Sequence, residues 1–248
     1  MNKAFTILEM SVVMAIIAVL ISSGLTMVTS SLEKERVKIT NERLAAVQSA
    51  ITRYAQQFKL LPCPAGGDLA VSHAEFGRGM GTNTGTCTAT DLISIAATAG
   101  GNIVIGTVPT AELGIEPIFM LDGWNRKITY VVDERLTLNS NYIGATVGNI
   151  IIQGEMAPPN ISDKSAVAII SHGKNGHGAW RLKGTKTVSV ATPGTVETSN
   201  IPLGPDNVAG GAAVDDTFQI KSFSSVIGPN YFDDIVIATE KWQFQKTP

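Results

Sequence analysis

One carboxylate stands where the sequence is otherwise apolar. From Phe5 to Val28 the only ionisable side chain is Glu9. A charge in a membrane-like segment costs roughly 2–3 kcal/mol on insertion scales, so it reads as functional and in need of a partner. The free α-amino group of a neighbouring copy, at Phe5, suits that role. Cys63 and Cys87 permit one disulfide; two free thiols are the competing reading, and an exported domain favours the bond. Closing that loop would contribute about 3 kcal/mol. The acidic pairs Asp215-Asp216 and Asp233-Asp234 are the candidate Ca²⁺ ligands, because Ca²⁺ takes several hard oxygens. The competing reading of the two pairs is a solvated turn and a strand-start cap. No other cofactor is expected. His172 and His177 bracket Gly173-Lys174-Asn175-Gly176, a spacing that suits a loop metal or a general base, and equally a polar turn after a buried strand. No triad pattern surrounds them. Gly77-x-Gly79-x-Gly81 lacks the following helix that a dinucleotide fingerprint needs, and no phosphate loop is present. No residue is assigned a catalytic role, and the chain does not read as an enzyme.

The elements that must carry these residues begin with a long helix. Phe5–Val28 is 24 residues, about 36 Å at 1.5 Å per residue, enough to cross a bilayer core. Three kinds of segment fit: a secretory signal peptide, a signal anchor, or a leader of which only residues 1–4 are removed. Glu9 favours the third, since the other two have no use for it. Beyond the apolar part, Val37, Thr40, Leu44, Val47, Ile51, Tyr54 and Phe58 form one stripe at helical spacing, with charged residues filling most of the rest. The helix is expected to end at Leu60-Leu61-Pro62.

The remainder is rich in Gly, Thr, Ser, Val and Ile, which favours short strands and turns. Strands are expected at 102–108, 118–121, 127–132, 149–153, 166–171, 187–191, 217–223 and 235–238, and a short helix at 92–99. The predicted class is α+β: a long N-terminal helix, membrane-spanning and then amphipathic, packed on an antiparallel sheet. Residues 5–28 form the membrane or filament part, 29–60 lie on the head, and 61–248 are the head. The 248 residues carry a net charge of −2, with an isoelectric point near 5.9. That balance gives no electrostatic case for nucleic acid as a partner.

Lys3-Ala4-Phe5-Thr6-Ile7-Leu8-Glu9-Met10 resembles the cleavage and methylation motif of the type IV pilin family, with Ala4 where that family usually has Gly. The resemblance implies a pilin-like fold, cleavage between Ala4 and Phe5 by prepilin peptidase, N-methylation of Phe5, and Glu9 as the residue that aids assembly. It also implies identical subunits, an inner-membrane assembly platform and membrane lipid as partners, with storage in the inner membrane before export as a cell-surface pilus. Three head segments are similar to those of type II secretion pseudopilins: Asp122-Gly123-Trp124-Asn125-Arg126…Tyr130, Ile170-Ser171-His172-Gly173-Lys174-Asn175-Gly176, and Phe232-Asp233-Asp234-Ile235. Those pseudopilins bind calcium between the last two segments. Here an insertion of roughly 180–230 separates them. A pseudopilin is therefore the alternative, and a signal-anchored periplasmic binding protein or enzyme is the alternative of another class.

Overall fold

The computed structural model describes residues 7–81, 86–87, 92–97, 100–155, 160–187, 200, 217–225 and 230–246; for 20–28 it gives the helical backbone alone. Ile7–Phe58 is one helix, α1. The run from 7 to 58 contains a single glycine, Gly24, and no proline, so nothing interrupts backbone hydrogen bonding strongly enough to end it. It stops where Lys59 enters the left-handed region at φ 56°, three residues before Pro62. Within the second half the stripe read from the sequence is the buried face: Thr40, Leu44, Val47 and Ile51 are buried, joined by Ala50 and Ala55. Its two ends, Val37 and Phe58, stay exposed.

Among the described residues the head has seven strands and two short helices: β1 (Ile93–Ala96), β2 (Asn102–Thr107), β3 (Thr129–Asp133), α2 (Asn139–Ile143), β4 (Ile150–Gln153), β5 (Asn160–Ser171), β6 (Thr217–Gln219), β7 (Ile235–Glu240) and α3 (Lys241–Gln245). Strand order is β1-β2-β3-β5-β4-β6, with β7 also on β5. The 12-residue β5 is the spine. Ala168 pairs with Val131 of β3 and with Ala238 of β7, while Ser165 pairs with Ile150 of β4 and with Glu240 of β7. Both faces of this sheet are buried. Val104, Tyr130, Val132, Val167 and Ile169 share a core with Leu44, Val47 and Ile51 of α1. Ile103, Ile105, Val131, Ala168 and Ile170 form a second core with Ile150, Ile152, Trp180 and Phe218. Burial on two sides explains why Ala166–Ile170 is continuously apolar rather than alternating.

The expected fold class does not hold as stated. Among the described residues no helix is long and apolar enough to cross a membrane. The sheet is not antiparallel throughout, because β4 and β6 run parallel, Ile151 to Thr217 and Gln153 to Gln219. The architecture is one long helix on a mixed seven-stranded sheet, α+β only in a loose sense and not the pilin-like class expected.

Two elements also change type. The expected helix at 92–99 is strand β1 over its described part: Ile93 and Ile95 pack on the second core while Ser94 and Ala96 are exposed, a period of two and not of 3.6. The expected strand at 118–121 is a 3-10 turn, Pro117–Met120, since Pro117 fixes a turn-compatible φ. Of the expected strand at 187–191, residues 188–191 lie outside the described residues.

Candidate functional site

Among the described residues the first half of α1 is the least covered part. Every described side chain from Ile7 to Val19 is exposed, with Ile7 at 91% and Val19 at 67%. Glu9 lies on this stretch, exposed, in the first turn. Ser11 turns its hydroxyl back onto the Leu8 carbonyl at 2.8 Å, as a hydroxyl on an apolar helix does when the backbone is its nearest acceptor. Ala4 and Phe5, the expected cleavage and methylation positions, lie outside the described residues.

The three head segments singled out in the sequence meet at one place, where α1 joins the head. Asp122-Gly123-Trp124-Asn125 is the expected turn: Asp122 N–H bonds the Arg126 carbonyl at 2.8 Å, and Asn125 takes φ 61°. Gly123 is required, because a Cβ there would collide with the Arg36 carbonyl. Its N–H donates to Thr40 Oγ1 at 2.9 Å. Arg43 Nη1 donates to the Leu121 and Asp122 carbonyls at 3.0 Å, and Trp124 Nε1 to Glu33 Oε2 at 3.3 Å. The turn thus grips α1 from Glu33 to Arg43.

Behind the turn, the buried Asp122 carboxylate accepts from Trp124 N–H, Arg126 N–H and Ser171 Oγ, each at 2.9 Å. Burial pushes its carboxyl above the usual range despite these bonds. Arg126 reaches the second segment, donating to the Gly173 carbonyl at 2.5 Å and the Lys174 carbonyl at 2.7 Å. The third segment closes the ring: Asp233 Oδ2 accepts from Asn175 N–H at 2.9 Å and Tyr231 O–H at 2.8 Å. The arrangement orients a helix on a sheet.

The two histidines belong to this cluster as buried groups. His172 Nε2 and Thr129 Oγ1 are hydrogen-bonded at 2.9 Å, and burial, before the neighbouring cations, lowers His172 to about 3. His177 is lowered by burial and partly restored by Asp233. His172 is thus not poised as a base at neutral pH. Among the described residues no group of three or more His, Cys, Asp or Glu stands together as metal ligands. Asp233 Oδ1 is buried without a hydrogen-bond partner, and Ca²⁺ takes six to eight oxygens. Asp234 Oδ2 accepts from Asn200 Nδ2 at 2.9 Å. Asp215 and Asp216 lie outside the described residues.

Cys63 and Cys87 are bonded, with Cα atoms 5.6 Å apart. The bridge ties the exit of α1 to the segment before β1. Glu134 Oε1 holds the Cys87 N–H at 2.8 Å, and Glu134 Oε2 the Asn102 amide at 3.0 Å. Sequence reasoning placed Thr40 in the stripe without its role as acceptor, and did not find Glu134 or Arg43, because these roles arise only from tertiary contact. Comparison of the chain with protein-family models, with curated proteins and with solved structures finds no match.

Proposed function

We propose that the chain is a structural subunit of a type IV pilus-like extracellular filament, cut between Ala4 and Phe5 and polymerised through its N-terminal helix. The observation that supports this reading is the exposed apolar stretch of α1, Ile7–Val19, on the same continuous helix as a half that is core. Covering a Val, Leu, Ile or Met side chain is worth roughly 1.5–3 kcal/mol, so a bundle of such helices from many copies gains on every subunit. Contact of one copy's helix with a different face of the next is heterologous, and heterologous contacts that do not close make filaments. Glu9 then sets register, because a subunit placed wrongly leaves a carboxylate unpaired among apolar neighbours. Prepilin peptidase and an inner-membrane assembly platform are the partners this reading requires, and the cell surface is its location.

A type II secretion pseudopilin is the second reading. It is favoured by the convergence of the three pseudopilin-like segments on the grip around Glu33–Arg43.

Two measurements test the filament. Mass spectrometry of the mature protein should find a methylated Phe5 at its N-terminus; cleavage near Gly24 would overturn the reading. Glu9→Ala should leave the head as stable as before and abolish filaments in electron micrographs, whereas normal filaments from this variant would remove the register role. Loss of secreted enzymes without loss of long surface filaments would select the pseudopilin.

A further inference from the structure

The chain carries seven methionines, and the fold treats those with described side chains unequally. Met120 is fully buried in the core that covers α1. Met80 is half-buried. Met10 and Met14 are 51% and 61% exposed, on the apolar stretch of α1. Four residues apart on one helix, their side chains stand one above the other on a single face. The two cysteines are bonded to each other, so the chain has no thiol. Among the described residues these two thioethers are the sulfurs most open to an oxidant.

A sulfoxide on this face would find few partners. A thioether is apolar and flexible and fills irregular apolar contacts, whereas its sulfoxide is polar and disrupts them. From residue 7 to residue 19 the only side chain that can donate a hydrogen bond is Ser11, because an ionised Glu9 only accepts. The Ser11 hydroxyl already donates to the Leu8 carbonyl at 2.8 Å. The same stretch of a second copy brings the same side chains, and its Phe5 amino group is taken by Glu9 in the filament reading. Burying an acceptor with no donor weakens an association roughly 5- to 150-fold per group.

We propose that Met10 and Met14 form a reversible oxidation site for hydroperoxides, and that its oxidation holds the N-terminal helix out of assembly. The thioether sulfur attacks the distal oxygen of the peroxide. An S–O bond forms and the O–O bond breaks. Sulfur loses two electrons, and the peroxide leaves as an alcohol, or as water when it is hydrogen peroxide. A methionine sulfoxide reductase reverses the step: a dithiol supplies the two electrons, becomes a disulfide, and the oxygen leaves as water. The proposal rests on the filament reading and adds a regulation to the same helix.

The test treats the full chain, in a non-ionic detergent, with hydrogen peroxide. Peptide mass spectrometry should find one added oxygen on Met10 and one on Met14 well before any on Met120. Sedimentation after dilution below the micelle threshold should show the oxidised chain associating at least about tenfold more weakly than the untreated chain. The urea midpoint of the head should not move, and a methionine sulfoxide reductase should restore both mass and association. Met10→Leu with Met14→Leu, close in volume to the parent, should associate as the parent does and ignore peroxide. A peroxide effect that persists in this variant puts the sensitive group elsewhere and overturns the proposal. So does a lowered urea midpoint, oxidation of Met120 as fast as of Met10 and Met14, or undiminished association of a chain oxidised at both. An untreated chain that does not associate at all removes the filament reading and this regulation with it, whereas one that associates regardless of oxidation removes the regulation alone.

Discussion

The two halves of α1 obey one backbone geometry and opposite environments. From Thr40 to Ala55 the helix has an apolar stripe and a polar remainder, and the stripe is buried. From Ile7 to Val19 apolar residues point in every direction and all are exposed. A stripe needs a single covering surface, which the chain's own sheet supplies. An all-round apolar helix needs neighbours on all sides, which one sheet cannot supply. The contrast teaches that the first half is specified for something outside the chain's own head.

The contrast breaks first under cavity-forming substitutions. Leu44→Ala should cost about 2–5 kcal/mol of head stability, read as a fall in the urea midpoint, while Ile16→Ala should stay within about 0.5 kcal/mol. Equal losses would mean that the first half is packed on the head after all. Next comes the joint between the halves, where His172 is buried beside the Ser171 that supports Asp122. The unfolded imidazole takes a proton below about 6.5, the folded one only near 3. The contribution of neutral His172 is therefore intact above pH 6.5 and is lost as pH falls towards 3, by up to roughly 1.4 kcal/mol per pH unit. Urea midpoints taken down a pH series should show that slope in the parent and a shallower one in His172→Asn; identical slopes would exclude this histidine as the source. The smallest effect sharpens the grip itself. Thr40→Val keeps the shape and removes the acceptor for Gly123 N–H, which should cost about 1 kcal/mol and speed amide exchange at Gly123; unchanged exchange would remove Thr40 from the grip.

Much of this contrast was written in local pattern. The stripe from Thr40 to Tyr54, the stop before Pro62, the turn at Asp122 and the apolar strand at 166–171 all depend on spacing within a few residues, and all are present. What local pattern missed is non-local. Ile93 and Ile95 lie in an apolar run too short to separate helix from strand until β2 is there to pair with it. The parallel pairing of β4 with β6 joins residues 150–153 to 217–219, a distance no periodicity reports. The membrane-spanning expectation came from composition over Phe5–Val28, and among the described residues no helix is long and apolar enough to cross a membrane. The same limit applies to the candidate site. Cys63, Cys87, Asp122 and Gly123 announce themselves by type, whereas Thr40, Arg43 and Glu134 matter only because distant carbonyls and amides arrive beside them.

The flanking of β5 by β3, β4 and β7 also governs the order in which the head can form. Residues 129–133 can meet 167–170 early, but one flank of the spine stays open until 235–240 arrive, and Phe244 of α3 then enters the core that covers α1. Such long separations make closure slow. Until those residues have been delivered the core over α1 lacks Phe244, Ile235 and Ile237, so a nascent chain presents apolar helix that the finished one covers. Any escort that holds the chain before assembly would find its largest target in that interval.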